Sequence, residues 1–386
     1  MYYNQMMNWC ILKMSEYIED VSFIDLKAQL NPIRGKIDTA VAKVLDHGQY
    51  IMGPEVKELE EKLASFTGSK HAITCANGTD ALTLALLSLD VGYGDVVFVP
   101  SFTYVASAEA IALIGALPFL VDIDPVSFNI CPKSLEKAIL QVQTEDLDAK
   151  AVIAVELFGN PCDYSLLDPI IKKYNIKFII DAAQSFGAEF EGVKTVTKGD
   201  IATTSFFPAK PLGCYGDGGA LFTNSDYLYE RINSLRLHGK GSNKYDNVRV
   251  GMNSRLDTIQ AAILIEKLKI FPWELNSRRS IANKYSAGLT QYVDTPIIGA
   301  KSQSSWAQYT IKYQDRDTLR TKLTEKGIPS VVYYPLCLTK QGGYKHFPKV
   351  FGGTPIAERL SKEVVSLPMH PYLKVDEIIT RICEVF

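Results

Sequence analysis

The stretch Ile176-Lys177-Phe178-Ile179-Ile180-Asp181 contains four apolar side chains and ends on a carboxylate. A run of this kind, rich in Ile and Phe, is typical of a strand buried on both faces of a sheet. Similar apolar runs alternate with helical patterns at residues 96–99, 119–123, 151–157, 203–206 and 220–223. The alternation predicts an α/β fold with a mostly parallel mixed sheet between helices.

Asp181 is expected at the carboxyl end of a central strand, the edge where open α/β sheets bind ligands. An aspartate there can hold a metal, a ribose or a protonated ring nitrogen. Pyridoxal phosphate needs the last of these, because a protonated ring is the better electron sink. Two other interpretations stay open. Asp181 could cap the next helix, or hold magnesium in a nucleoside triphosphatase, although the chain has no G-x-x-x-x-G-K-[ST] motif.

Lys210 ends the run Thr204-Ser205-Phe206-Phe207-Pro208-Ala209-Lys210 and precedes a glycine-rich loop that ends at Gly219. A lysine held between a buried strand and a tight loop is removed from water. Its pKa then falls, and the amine becomes a nucleophile that can form a Schiff base. The alternative is a solvated loop lysine, because Lys is rarely buried.

Gly78 and Thr79 follow the apolar residues 72–74 and precede a helical pattern of leucines. They are expected to open a helix, whose unpaired N–H groups and partial positive charge suit a phosphate. Ser205 could add a hydroxyl to the same phosphate. The alternative is ordinary turn and cap chemistry. The phosphate site, the acidic residue and the lysine would come from three strand ends of one sheet.

Five motifs containing these residues together resemble the DegT/DnrJ/EryC1/StrS family of nucleotide-sugar aminotransferases. The resemblance runs from about Phe23 to the C-terminus, and five motifs in the same order are far more specific than one. The motifs are Asn77-Gly78-Thr79-x-Ala81-Leu82, Phe102-Thr103-Tyr104, Asp181-Ala182-Ala183-Gln184-Ser185, Ser205-Phe206-Phe207-Pro208-x-Lys210 and Gly251-x-Asn253-x-Arg255-x-Asp257.

Within the family, the closest likeness is to enzymes that aminate C3 of a UDP-linked 3-keto-hexuronic acid in bacterial O-antigen synthesis. It is carried by Asp25-Leu26-Lys27, Gly48-Gln49-Tyr50-Ile51, residues 210–219 and Ser366-Leu367-Pro368-Met369-His370-Pro371. The resemblance implies transamination of UDP-2-acetamido-2-deoxy-3-keto-hexuronic acid at C3, with L-glutamate as the amino donor.

The resemblance also implies the fold type I of the pyridoxal-phosphate-dependent aminotransferases and a task for each site residue. Lys210 would bind the cofactor covalently and then move a proton, and Asp181 would pair with the ring nitrogen. By the same resemblance, Tyr104 would stack on the face of the cofactor ring and Gln184 would hydrogen-bond its phenolic oxygen. The phosphate would be bound by Gly78, Thr79 and Ser205. Asn253 would reach the phosphate of the neighbouring subunit's cofactor, which implies a homodimer with shared active sites.

Arg255, Tyr333 and Tyr334 are candidate substrate ligands. A guanidinium binds a sugar carboxylate or a diphosphate through two hydrogen bonds, although a surface salt bridge would also explain Arg255. Close relatives carry His-Tyr-Pro in the small-domain loop, where this chain has Tyr-Tyr-Pro at 333–335. Tyr334 matches the family pattern, and Tyr333 departs from it.

Other functions agree with parts of the pattern. One is C4 amination of a dTDP-, UDP- or GDP-linked 4-keto-6-deoxy sugar. Sugar dehydratases of the same fold have a histidine in place of the lysine, so Lys210 disfavours them. The intact pair of Asp181 and Lys210 also disfavours a non-catalytic protein that only binds a sugar nucleotide or the cofactor.

The 386 residues, 47% apolar and 22% charged, are typical of a soluble protein with two domains. The net charge of -2 argues against nucleic acid as the main partner. No apolar stretch approaches the roughly 20 residues of a membrane span. The seven cysteines lack C-x-x-C spacing, so neither a metal site nor a disulfide framework is expected, and the compartment is predicted to be the reducing cytoplasm.

The chain is expected to divide into three parts. Residues 1–22 form an N-terminal extension that lacks the basic region and cleavage site of a signal peptide. Residues 23–270 form a large cofactor-binding domain, and Pro272 marks the passage into a small α+β domain at 271–386. The small domain is indicated by segments at 309–311 and 331–334 and by helical patterns at 317–326 and from residue 375.

Overall fold

The computed structural model describes residues 21–243 and 245–386, so nearly all of the predicted N-terminal extension lies outside the described residues. The helices are α1 (Leu26–Leu30), α2 (Arg34–His47), α3 (Pro54–Thr67), α4 (Gly78–Ser88), α5 (Ala106–Leu113), α6 (Pro132–Thr144), α7 (Tyr164–Tyr174), α8 (Asp226–Leu235), α9 (Thr258–Leu289), α10 (Arg316–Glu325), α11 (Pro355–Glu363) and α12 (Val375–Cys383). The strands are β1 (His71–Cys75), β2 (Asp95–Pro100), β3 (Leu117–Val121), β4 (Asp148–Val155), β5 (Lys177–Asp181), β6 (Glu189–Phe190), β7 (Val193–Lys194), β8 (Ile201–Ser205), β9 (Gly219–Thr223), β10 (Ser302–Gln303), β11 (Tyr309–Lys312) and β12 (Val364–Leu367).

Seven strands form the central sheet, in the order β1-β9-β8-β5-β4-β2-β3. Strand β9 is antiparallel to both of its neighbours, and the other six strands run parallel to one another. Every predicted apolar run is a strand of this sheet, with ends that differ slightly from the prediction. Since six strands run in the same direction, their carboxyl ends meet at one edge of the sheet. Strand β5 lies in the middle of the sheet and places Asp181 at this edge.

The sheet lies between two layers of helices because its side chains alternate between two hydrophobic clusters. In β5, Phe178 and Ile180 pack into the cluster that also contains residues of α3, α6, α7 and α9. Ile179, between them, packs into the cluster with α4, α5 and α8. Burial on both faces explains why β5 reads as a nearly continuous apolar run.

The C-terminal part has its own hydrophobic cluster, built around the antiparallel pair β11–β12 and helices α10 and α12. The second half of α9 packs there through Ile281, Tyr285 and Leu289. The predicted boundary at 270/271 falls inside α9, which continues through Pro272 instead of ending near it. The division into domains at this point therefore remains a prediction.

The segment 331–334 is not a strand. It makes one β-bridge, between Val331 and Ser366, and then turns away, with Tyr334 at φ 54°. The turn brings the loop at 332–336 over the carboxyl edge of the central sheet, where it takes part in a cavity. In the described chain, no helix combines the length and the apolar character that crossing a membrane requires.

Candidate active site

A cavity of about 1060 Å³ opens at the carboxyl edge of the central sheet. It is lined by residues that follow β1, β2, β5 and β8 and by the loop 332–336 of the C-terminal part. Nine of the predicted site residues line it: Gly78, Thr79, Tyr104, Asp181, Gln184, Ser205, Lys210, Tyr333 and Tyr334. The sheet topology thus brings together side chains that lie far apart in the sequence.

Lys210 is half-buried in the wall of this cavity. Its backbone N–H donates to the carbonyl oxygen of Phe207 at 2.9 Å, which closes a tight turn after β8. Burial lowers the pKa of the Lys210 amine, and the nearby Asp181 carboxylate acts in the opposite direction. Its Nζ has no hydrogen bond or ion pair among the described residues. The amine is therefore easier to deprotonate than a solvated lysine and is directed at the cavity.

Asp181 is almost fully buried at the end of β5, with 6% of its surface exposed. Burial raises the pKa of its carboxyl, and three neighbours oppose that effect. The Ala183 N–H donates to Oδ1 at 3.1 Å, the Ser107 hydroxyl donates to Oδ2 at 2.9 Å, and Lys210 contributes its charge. The carboxylate is thus held rigidly and has lone pairs left for a ligand.

The start of α4 is a candidate anion site. The Asn77 side chain accepts the N–H of Asp80 at 2.8 Å, which leaves the N–H groups of Gly78 and Thr79 for a ligand. A Cβ on Gly78 would lie 2.7 Å from the Cβ of Ser205, so only glycine lets the serine approach so closely. The Ser205 hydroxyl therefore stands beside the positive end of the helix.

Gln184 joins the main sheet to the C-terminal loop. Its Oε1 accepts the Phe158 N–H at 2.6 Å, and its Nε2 donates to the Tyr334 hydroxyl at 2.6 Å. Phe158 and Tyr334 both have positive φ, at 59° and 54°, a strained backbone for bulky residues that recurs at ligand sites. One Nε2 hydrogen of Gln184 is left to donate into the cavity. Tyr104, 59% exposed, presents its ring to the same space.

Tyr333 also lines the cavity, and burial raises the pKa of its hydroxyl. The neighbouring Gln308 side chain acts in the opposite direction on that pKa. Gln308 lies just before β11 and had no sequence signal. Ser107, which contacts Asp181, was also missed, although it stands in the first turn of the helix after β2, where site residues are common.

Asn253 and Arg255 do not line this cavity within the chain. The Arg255 guanidinium donates to the Asn253 side-chain oxygen at 2.5 Å, so the two side chains form one polar unit. Next to them, Ile51 bridges to Asp257, and both Ile51 and Tyr50 are about half exposed. Asn253 and Arg255 are the only predicted site residues that the described chain leaves outside the cavity.

The DegT/DnrJ/EryC1/StrS aminotransferase family matches residues 31–386, and the chain belongs to this family. The resemblance inferred from the motifs is therefore confirmed. The protein is a pyridoxal-phosphate-dependent aminotransferase with the type I fold of these enzymes.

Individual relatives cover nearly the whole chain. The UDP-2-acetamido-2-deoxy-3-oxo-D-glucuronate aminotransferase of Pseudomonas aeruginosa is 47% identical over 359 residues, which are 93% of this chain and 97% of the relative. The crystal structure of a DegT/DnrJ/EryC1/StrS aminotransferase from Brucella abortus is 47% identical, with a TM-score of 0.93, and covers 94% of this chain and 98% of its own. NtdA of Bacillus subtilis, solved with bound pyridoxamine phosphate, is 28% identical, with a TM-score of 0.86, over 96% of this chain and 86% of its own.

The residues of the cavity fit pyridoxal phosphate on their own chemistry. The start of α4 offers N–H groups to a phosphate, and the absence of a Cβ on Gly78 lets the Ser205 side chain pack beside them. Asp181 offers a buried carboxylate to a protonated ring nitrogen, and Lys210 offers an amine to an aldehyde. These three groups match the three ends of the cofactor.

Proposed function

We propose that this chain transfers the amino group of L-glutamate to C3 of UDP-2-acetamido-2-deoxy-3-keto-hexuronic acid, in the synthesis of a bacterial surface polysaccharide such as O-antigen. The observation that carries the proposal is the meeting of Lys210 and Asp181 in a single cavity that also has an anion site. The cavity, at about 1060 Å³, lies at the upper end of the usual range for ligand pockets, so a nucleotide sugar has room beside the cofactor. The sugar is proposed from the Pseudomonas relative.

Lys210 is the proposed catalytic acid and base. When bound, pyridoxal phosphate supplies an electron sink that makes the proton on the substrate carbon removable. The Lys210 Nζ takes that proton, and the lowered pKa of the amine makes its neutral, proton-accepting form easier to reach than in a solvated lysine. The same Nζ passes that proton to C4′ of the cofactor, and in the second half of the reaction it takes a proton from C4′ and delivers it to C3 of the sugar.

Asp181 is the proposed partner of the ring nitrogen. Its two oxygens already accept from Ala183 and Ser107, so its orientation is fixed before a ligand arrives. A carboxylate in a buried site interacts with a cation more strongly than one in water. Asp181 therefore holds the ring proton in place throughout the reaction.

The remaining cofactor contacts are proposed from the walls of the cavity. Gly78, Thr79 and Ser205 bind the phosphate at the start of α4, where the helix dipole adds to their hydrogen bonds. The Tyr104 ring packs on the face of the cofactor ring. The free Nε2 hydrogen of Gln184 donates to the phenolic oxygen.

The proposed assembly is a homodimer in which each active site takes residues from both subunits. Asn253 and Arg255 lie outside the cavity of their own chain, which supports a task in the partner's site. Nearby apolar side chains are unusually exposed, with Val250 at 93%, and would be buried by a second subunit. Asn253 would then contact the phosphate of the partner's cofactor.

Mixing two inactive variants tests this assembly. Lys210→Ala and Asn253→Asp are each expected to be inactive, the second because a carboxylate repels a phosphate. In a mixed dimer one site receives both changes and the other receives neither, so random exchange should restore roughly a quarter of wild-type activity. Activity is measured after subunit exchange has been verified with differently tagged chains. No recovery would rule out the shared site.

Arg255 is proposed to bind the carboxylate of the hexuronic acid across the dimer interface. Arg255→Ala should lower kcat/KM for the uronic acid by roughly 10- to 100-fold, since a charge-assisted hydrogen bond contributes about 1.5 to 3 kcal/mol. A neutral keto-sugar should lose much less. Arg255→Lys keeps the charge without the fork of donors and serves as the matched control. Equal losses for both sugars would mean that Arg255 does not read the carboxylate.

Tyr333 and Tyr334 are proposed to contact the sugar from the C-terminal loop. Tyr334 is fixed by its hydrogen bond with Gln184, so it can place the sugar relative to the cofactor.

We also propose the cytoplasm as the compartment. The six cysteines of the described chain are free thiols, and thiols are kept reduced in the cytoplasm.

The purified protein should be incubated with L-glutamate and a panel of nucleotide-linked keto-sugars, and the products identified by mass spectrometry. Amination of the UDP-linked 3-keto-hexuronic acid in preference to the rest is the expected result. If a 4-keto-6-deoxy sugar is aminated well and the uronic acid is ignored, the proposed substrate is wrong and the C4 alternative replaces it.

A further inference from the structure

Thr103, Ser107 and Asp181 form a buried chain of polar groups in the wall of the cavity. The hydroxyl of Ser107, in the first turn of α5, donates to Asp181 Oδ2 at 2.9 Å. The hydroxyl of Thr103 lies 3.5 Å from that of Ser107, one helical turn earlier in the sequence. Thr103 and Ser107 are 2% and 1% exposed, so water does not compete for their hydrogen bonds.

The direction of these hydrogen bonds follows from what each group can donate. An ionised carboxylate only accepts, and a serine hydroxyl has a single hydrogen to give. With that hydrogen on Asp181, the Ser107 oxygen can accept from Thr103. The Ala183 N–H fixes the other oxygen of Asp181. Both hydrogen bonds to Asp181 favour its ionised form and act against burial, which disfavours that form.

We propose that Ser107 is a positioning residue that keeps Asp181 ionised and correctly oriented for the cofactor ring nitrogen, with Thr103 supporting it from behind. This inference rests on the proposed pairing of Asp181 with that nitrogen. In this proposal Ser107 acts on the reaction through its hydrogen bond to Asp181.

The other groups that face Asp181 are few, so the contribution of Ser107 can be isolated. Lys210, from the loop after β8, favours the ionised form through its charge, and burial disfavours it. Tyr334 approaches from the C-terminal loop and interacts with Asp181 electrostatically. The carboxylate of Glu156, on the neighbouring strand end, is occupied by Cys162, Tyr164, Ser185 and Thr195.

The test measures how tightly the full-length apoenzyme binds pyridoxamine phosphate as the pH is lowered from neutral, by isothermal titration calorimetry. This ligand cannot bond covalently to Lys210, and its own ionisations are the same for every variant, so they cancel in comparisons. Binding should weaken once Asp181 becomes protonated. In Ser107→Ala, the pH midpoint of that weakening is expected to rise by about one unit, the effect of one hydrogen bond to a charged group.

Two further variants make the result decisive. Ser107→Thr keeps the hydroxyl and should restore the wild-type midpoint. Thr103→Val has nearly the same shape as wild type and should raise the midpoint by less than Ser107→Ala does. If Ser107→Ala weakens binding by the same factor at every pH, Ser107 only packs and the inference is overturned. Should Ser107→Ala fail to fold, an unchanged midpoint in Thr103→Val overturns it equally.

Asp181→Asn separates this inference from the proposal beneath it. This variant should lose the acid-side weakening altogether, because no carboxyl remains to be protonated. If it keeps the wild-type midpoint, the proposed pairing of Asp181 with the ring nitrogen is wrong. If Asp181→Asn shows no weakening of binding at low pH, and Ser107→Ala keeps the wild-type pH midpoint, only the inference about Ser107 fails.

Discussion

Lys210→Ala is expected to abolish sugar amination, with a loss of about 10⁴-fold or more, because the proposed function makes one amine both the covalent anchor and the carrier of the proton. The fold should survive. The Lys210 side chain is half-buried at the cavity wall, and its Nζ makes no hydrogen bond within the described residues, so its removal leaves no partner unsatisfied. Product formation is followed by mass spectrometry, and the thermal midpoint and circular dichroism report the fold.

Lys210→Arg is the matched control for charge. A guanidinium stays protonated under all working conditions and cannot accept the proton that a neutral amine takes. It should therefore be as inactive as Lys210→Ala. Wild-type amination by Lys210→Ala would end the assignment of Lys210 as the catalytic residue.

Asp181→Asn is expected to slow proton removal by roughly 10²-fold or more. Removing an electrostatic group from such a site costs on the order of 3 kcal/mol of barrier, and a neutral amide cannot hold the ring proton. The cofactor should still bind to Lys210, so its visible absorbance should remain while the single-turnover rate falls. Stopped-flow absorbance measures both quantities in one experiment.

Asp200→Asn is a suitable control for this change. Asp200 lies just before β8, and its carboxylate accepts the Phe178 N–H at 2.8 Å, outside the cavity. The same substitution there removes a charge from the same sheet and should leave the single-turnover rate unchanged. Equal rates for Asp181→Asn and wild type would show that Asp181 only caps the following turn.

The sequence was sufficient for the central sheet because burial on both faces leaves a plain signal. The β5 run and the other apolar runs alternate with helical patterns, and this alternation alone indicates parallel strands. Parallel strands bring their carboxyl ends to one edge. The meeting of Asp181, Lys210 and the start of α4 therefore followed from topology, and the positions of Gly78 and Ser205 followed with it.

Other features depend on contacts between distant segments and leave no local trace. Ser107 and Gln308 are ordinary polar residues until the fold places them beside Asp181 and Tyr333. The segment 331–334 has the composition of a strand, but within it only Val331 pairs with another strand residue, Ser366. The backbone then turns at Tyr334 toward the cavity. Pro272 suggested a break, although the packing of α9 on both sides of it outweighs the one hydrogen bond that proline removes.

The continuity of α9 makes the two parts of the chain inseparable in folding. Its first half buries Leu264 and Phe271 against the central sheet, and its second half buries Tyr285 and Leu289 in the C-terminal cluster. A fragment beginning at residue 271 would start inside this helix and would lack the central sheet on which its first half packs. Such a fragment should be unfolded and readily digested by proteases, whereas the whole chain should melt in a single calorimetric transition.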